Sequence, residues 1–239
     1  MTPELILLVL LGTALACTLS ASAGLGGSLV LVPLLALAIG TKEGVALAAL
    51  LLAANNLVKL VAYRGSIPWM KSLVVLVLVV MGSALGAALL VAAPETWVSV
   101  AVVISIGLAL VAERLRLPTM QKVGAPVLAF ASGATSGFSG TSGPLKGIAL
   151  RLLNLDRGHL VGAASLVSLA GDATKAGIYA EAGLLSTQSL LLMAALFPVM
   201  IASTYFGRYL NSRVGERGFA VLFWTVMCGY SLRLLGFAP

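Results

Sequence analysis

Thirty-seven consecutive residues, Leu5 to Thr41, carry no formal charge, and a glycine cluster, Gly24-Leu25-Gly26-Gly27, interrupts them near the middle. As one continuous helix the run would be roughly 55 Å long, against a hydrocarbon core of about 30 Å. That is too long for one comfortable crossing, so the chain is expected to break or turn at the glycines. Broken backbone inside a bilayer is tolerated only where it lines a cavity or is packed in protein. The break is therefore a candidate substrate site and not a linker.

Two further uncharged runs follow, Ser72 to Pro94 and Thr96 to Ala112, each matching a membrane span. Only 10% of the 239 residues are charged, well below the roughly 25% of a soluble domain. These runs are apolar on every face, which excludes the alternating pattern of a β-barrel. An all-α polytopic membrane protein is the expected class. Glu4 stands where a signal peptide would carry basic residues, so the first span is expected to remain in the mature protein. The net charge of +7 is read as loop charge that holds orientation, not as a nucleic-acid surface. Cys17 and Cys228 both lie in apolar segments and read as small packing residues.

The chain repeats itself. Asn56-x-x-Lys59-x-x-x-Tyr63 returns as Asp172-x-x-Lys175-x-x-x-Tyr179, and at the same offset Gly24 and Gly27 fall on Gly140 and Gly143. This divides the chain into repeats 1–116 and 117–239, with the boundary in the polar loop around Pro118. Each half offers five apolar segments. They run about Leu5–Ser22, Leu25–Gly40, Val45–Tyr63, Leu73–Ala93 and Trp97–Ala112, then Val123–Ser139, Leu145–Leu153, Leu160–Ala180, Ser189–Phe206 and Phe219–Leu235.

Charge placement decides whether the glycines kink or turn the chain. If they turn it, one side collects Arg64, Lys71, Arg114, Arg116, Lys122, Arg151, Arg157, Arg208, Arg213 and Arg217, and the other keeps Lys42 and Arg233. The positive-inside rule requires such an asymmetry. Five segments is an odd number, so the halves are expected to be inverted, with both termini outside the cytoplasm. Whether the paired segments cross or form re-entrant hairpins stays open, although Leu145–Leu153 is too short to span.

Each glycine turn precedes an apolar helix, so free N–H groups and a positive dipole end point inward, as at an anion site. Ser20, Ser22, Ser28, Ser139, Thr141 and Ser142 add hydroxyls. Lys59 and Lys175 lie inside apolar helices, where a charge is costly and generally has a purpose or partner. Asp172 breaks the repeat against Asn56 and is a candidate proton carrier or a fixed partner of Lys175. Lys146 reads as a helix-end charge at the interface, Tyr63 and Tyr179 as interfacial anchors, and His159 as an interface residue. Gly82-x-x-x-Gly86 reads as helix packing.

The segment Gly24-Leu25-Gly26-Gly27-Ser28-x-x-x-x-Pro33-Leu34-Leu35 resembles the Gly-rich motif of the TauE/SafE sulfite-exporter family, and Gly137-Phe138-Ser139-Gly140-Thr141-Ser142-Gly143-Pro144 resembles its second copy. Ser28, Ser142 and Pro144 stand where that motif has glycine, and Ala149 stands where a second Pro33 would fall. The resemblance implies a secondary transporter in the cell (inner) membrane, exporting sulfite, an organosulfonate or a related oxyanion by alternating access. Its expected substrate-binding residues are Gly24, Gly26, Gly27, Ser28, Asn56, Lys59, Ser139, Gly140, Thr141, Ser142, Gly143 and Lys175, with Asp172 the candidate for proton coupling. No cofactor or metal is expected. The expected partners are a small anion and the lipid bilayer, self-association being compatible with both. No G-x-x-x-x-G-K-[ST] segment is present, so the chain itself is not expected to use ATP. Two alternatives stand beside this reading. One is an anion channel of the same fold. The other is an intramembrane serine protease using Ser139 as nucleophile and His159 as base.

Overall fold

A computed structural model describes residues 3–23, 26–115 and 124–213, all of them in helices or short connections with no strand. The helices are α1 (Pro3–Ala23), α2 (Gly27–Ile39), α3 (Thr41–Ala62), α4 (Trp69–Ala92), α5 (Glu95–Leu115), α6 (Ala125–Ser139), α7 (Gly143–Arg151), α8 (Arg157–Glu181) and α9 (Thr187–Arg213). Each matches an expected apolar segment. The tenth, Phe219–Leu235, lies outside the described residues, as do Gly24, Cys228 and the polar loop at Pro118.

Helix ends repeat at the sequence offset. α1 ends at Ala23 and α6 at Ser139; α2 starts at Gly27 and α7 at Gly143; α3 starts at Thr41 and α8 at Arg157. Gly26 and Gly140 adopt φ of 100° and 76° at the two turns. L-residues with a side chain rarely tolerate that left-handed conformation, which is why the helices break there. The chain then doubles back: Gly27 packs on Ser20 and Ala16, and Gly12 on Leu34. With 13 and nine residues, α2 and α7 are only roughly 20 and 14 Å long, too short to cross. Gly27 lies against Leu52, midway along α3.

α3 and α8 form the centre and run antiparallel. Ala62 and Tyr63, at the end of α3, pack on Val161 near the start of α8, and Asn56, earlier in α3, meets Asp172, later in α8. Around this pair α4 packs mainly against α6, and α1 against α9. The α4–α6 contact is backbone-close. A Cβ added at Gly86 would stand 2.1 Å from the Ala134 carbonyl oxygen, and one at Gly137 2.4 Å from that of Ser83. Gly82-x-x-x-Gly86 is therefore a packing motif, as expected.

Charge separates to opposite ends of the helices. Thr41 N–H donates to Glu95 at 2.8 Å and Lys42 donates to the Val91 carbonyl at 3.0 Å, so the start of α3, the end of α4 and the start of α5 share one end with Glu43. At the other end Arg64 and Lys71 lie beside the start of α8, where Gly162 packs on Ser66. Arg208 caps that end from α9, stacked 5.4 Å over the Tyr63 ring. Asp156 caps α8 by accepting from the His159 N–H at 2.9 Å. That backbone bond, with the His159 side chain, holds the Asp156 carboxyl below its usual range.

Candidate functional site

Polar chemistry in so apolar a core concentrates where α3 and α8 meet the ends of α1 and α6. Lys59 and Lys175 are 1% and 0% exposed. A lysine that near a helix end could extend its ammonium to the lipid headgroups; these two turn inward instead. Lys59 Nζ donates to Ser20 Oγ at 2.7 Å, and Lys175 Nζ to Ser136 Oγ at 2.8 Å. The two serines are themselves 116 positions apart, so the bond is made twice at repeat-equivalent places. The tyrosines repeat as well: Tyr63 donates to the Ala21 carbonyl at 3.0 Å, and Tyr179 to that of Gly137. Expected at the membrane surface, both tyrosines are buried, because each hydroxyl satisfies a carbonyl in the last turns of the helix before a glycine turn.

The two halves touch where Asn56 of the first meets its counterpart, Asp172 of the second. Asn56 Nδ2 donates to Asp172 Oδ2 at 2.7 Å, and Asp172 Oδ1 pairs with Lys175 Nζ at 2.7 Å. Asp172 thus serves as the fixed partner of Lys175, and both its oxygens are engaged. Lys59 has no carboxylate within 4 Å among the described residues. Asp172 is also the only buried carboxylate among them.

Beside this centre lies a narrow polar crevice between α4, α6, α7 and α8. Its walls are Val79, Ser83, Ser132, Ser136, Ser142, Lys146, Val167, Ser168, Gly171 and Asp172. The crevice is narrow, with no room for a water molecule between these side chains as they stand. Lys146 Nζ donates to Ser168 Oγ at 2.8 Å. It lies within electrostatic reach of Lys59, Lys175 and Asp172. Lys146, half-buried, therefore turns its ammonium into the crevice and not to the interface, since the turn at Gly140 directs the start of α7 inward. Ser83 and Ser132 are fully buried, and neither hydroxyl has a hydrogen-bond partner among the described residues. Buried polar groups are normally satisfied, so these two mark a place where something polar is accommodated.

A cationic, hydroxyl-lined core in a helical membrane-type chain suits an anion carrier. The family model for the sulfite exporter TauE/SafE matches residues 8–234. The chain belongs to that family. TauE/SafE proteins are membrane transporters for sulfite and related sulfur anions, and this one is a membrane transporter of that class. No curated protein and no solved structure matches it.

Within this TauE/SafE chain the expected site residues fall into two groups. Asn56, Lys59, Asp172 and Lys175 meet in one hydrogen-bonded centre. Gly27, Ser139, Gly140, Thr141 and Ser142 are buried at the two turns, with Gly26 and Ser28 partly so, and Gly143 opens α7. Gly140 packs on Val32 of α2 and Val45 of α3, so the second turn abuts the first half. Gly24 lies outside the described residues. Ser142 joins the crevice, whereas Ser139 does not; its hydroxyl meets Ser105 of α5 at 2.8 Å and donates to the Thr135 carbonyl. His159 is exposed and bonded to Asp156 at 2.7 Å. Ser139 and His159 are therefore not a nucleophile–base pair.

Sequence reasoning did not single out Ser83, Ser132, Ser136 or Ser168. Ser136 carried a readable signal, its offset from Ser20. The others carried none, because a serine in an apolar helix reads the same whether it packs or binds.

Proposed function

We propose that this TauE/SafE chain is a secondary exporter of a small sulfur oxyanion, sulfite or an organosulfonate. The anion is held where two inverted repeats meet, and relative rocking of the halves alternates access to it. The observation that carries this reading is the charge of the core. Lys59, Lys146 and Lys175 stand against a single carboxylate, Asp172, among the described residues. Charges taken out of water are stable only when paired, and a small anion supplies the missing counter-charge. The antiparallel α3 and α8 and the two repeated lysine–serine bonds support inversion. The short α2 and α7 support re-entrant hairpins with their glycine turns inside the membrane. A crevice too narrow for water favours a carrier that must widen to admit its anion over a channel that stays open.

Export agrees with the energetics. A negative-inside potential drives anions outward by about 2.3 kcal/mol per charge per 100 mV, so efflux requires no coupling ion. The test is flux of sulfite and of an organosulfonate from proteoliposomes under an imposed potential, with Lys59→Met and Lys175→Met combined. Flux is expected to fall at least tenfold. Flux equal to that of the unaltered chain removes the lysines from the mechanism.

A further inference from the structure

The polar lining of this crevice is only partly repeated in the first half of the sequence. Where the crevice between α4 and α8 carries Ser83, Ser132, Lys146 and Ser168, the positions 116 residues away carry Val199, Ala16, Val30 and Leu52. These four polar residues have apolar counterparts, whereas Ser136 and Asp172 of the same lining answer to the polar Ser20 and Asn56. Helix packing alone gives no reason for this, since a valine at 146 would suit the apolar setting as Val30 does. The second, independent observation is the pair of unpartnered hydroxyls. Ser83 and Ser132, each 0% exposed, line the same crevice as the Lys146 ammonium.

Resting on the exporter reading above, we infer that the crevice at Lys146, too narrow for an anion as it stands and widened when the halves rock, is the single anion seat, and that it selects a doubly charged oxyanion over a singly charged one. The charge count gives the selectivity. Asp172 pairs with Lys175, so Lys59 and Lys146 have no carboxylate within 4 Å among the described residues, and a seated anion would favour the charged form of both. A dianion such as fully deprotonated sulfite neutralises them; an organosulfonate, with one charge, leaves one uncompensated. The hydroxyls of Ser83 and Ser132 supply donors for oxyanion oxygens that Lys146 does not reach. Attraction scales with the product of the charges, so a dianion gains about twice as much from each lysine as a monoanion does.

The experiment uses the full-length purified chain in detergent, titrated with sulfate, thiosulfate, methanesulfonate and chloride at matched ionic strength and read by calorimetry and thermal shift. Sulfate and thiosulfate keep two charges, and methanesulfonate one, at every working pH. The dianions are expected to bind at least tenfold more tightly than methanesulfonate. Lys146→Met is expected to weaken sulfate at least tenfold and methanesulfonate about threefold, as the charge product requires. Because Lys146→Met alters a core charge, the combined Ser83→Ala and Ser132→Ala variant is measured beside it. It is expected to fold with an unchanged melting temperature in the absence of anion and to bind sulfate severalfold more weakly. Equal affinity for sulfate and methanesulfonate overturns dianion selection and leaves anion transport standing. Tight sulfate binding untouched by both sets of substitutions moves the seat elsewhere and overturns the assignment to this crevice. No response to any anion overturns both this inference and the exporter reading.

Discussion

Asp172 is the residue on which the core's charge balance turns. It is the only buried carboxylate among the described residues and holds Lys175 and Asn56 at the same 2.7 Å. Asp172→Asn keeps the shape and removes the charge, leaving Lys175 without its counter-ion. Breaking a buried ion pair from one side costs about 3–5 kcal/mol, so the melting temperature in detergent is expected to fall clearly in anion-free buffer. An added oxyanion should recover more of it in the variant than in the unaltered chain, because the core is then one positive charge further from balance. A variant as stable as its parent, with or without sulfite, would show that Asp172 does not hold the cluster together.

Residues of this kind were legible to very different degrees. Lys59, Lys175, Asn56 and Asp172 could be read because a charge or amide in an apolar helix is rare and these recur at one offset. Their direction could not be read, since a lysine near a helix end reaches water or core with equal ease. The deciding groups are Ser20 and Ser136 on other helices. Tyr63 and Tyr179 misled for the same reason, their partner carbonyls lying 42 residues away in the chain.

At the scale of elements, breaks were more legible than contacts. A glycine at φ near 100° is a local requirement, and the sequence shows it directly. Which helix lies against which is set by surface relief, and nothing in the α4 sequence names α6 as its neighbour. Gly82 and Gly86 of α4 and Gly133 and Gly137 of α6 let the two backbones approach until a single methyl would collide. Gly86→Ala is therefore expected to destabilise the fold by about 1–3 kcal/mol or more. Gly177→Ala, on α8 with nothing within 4 Å among the described residues, should be neutral or slightly stabilising through helix propensity. Both substitutions add the same atoms to a helical glycine. Melting temperatures measured side by side thus separate contact from propensity, and equal shifts would show that the α4–α6 approach is not tight in solution.

At the scale of the whole molecule, the charge asymmetry and the antiparallel central pair support one orientation in the membrane. Arg64, Lys71 and Arg208 gather at the end of α3, with the start of α8, while Glu43 and Glu95 lie at the opposite end, α3 itself being 22 residues long. Such a helix is roughly 33 Å in length, close to the hydrocarbon thickness, so the two clusters belong to opposite faces. The positive-inside rule then predicts that the basic end faces the cytoplasm. Substituted cysteines test this in intact cells, in a Cys17→Ala, Cys228→Ala background. A cysteine at Ser66 should react with a membrane-impermeant maleimide only after the membrane is opened, whereas one at Glu43 should react at once. The same assay bears on inversion. α8 leaves the Ser66 end and runs opposite to α3, so Gly183, just beyond its last turn, should label from outside together with Glu43. Labelling of Gly183 with the protection pattern of Ser66 would mean that α3 and α8 do not cross the membrane in opposite directions. The repeats would then be parallel copies, and a rocking mechanism built on two upside-down halves would have no structural basis.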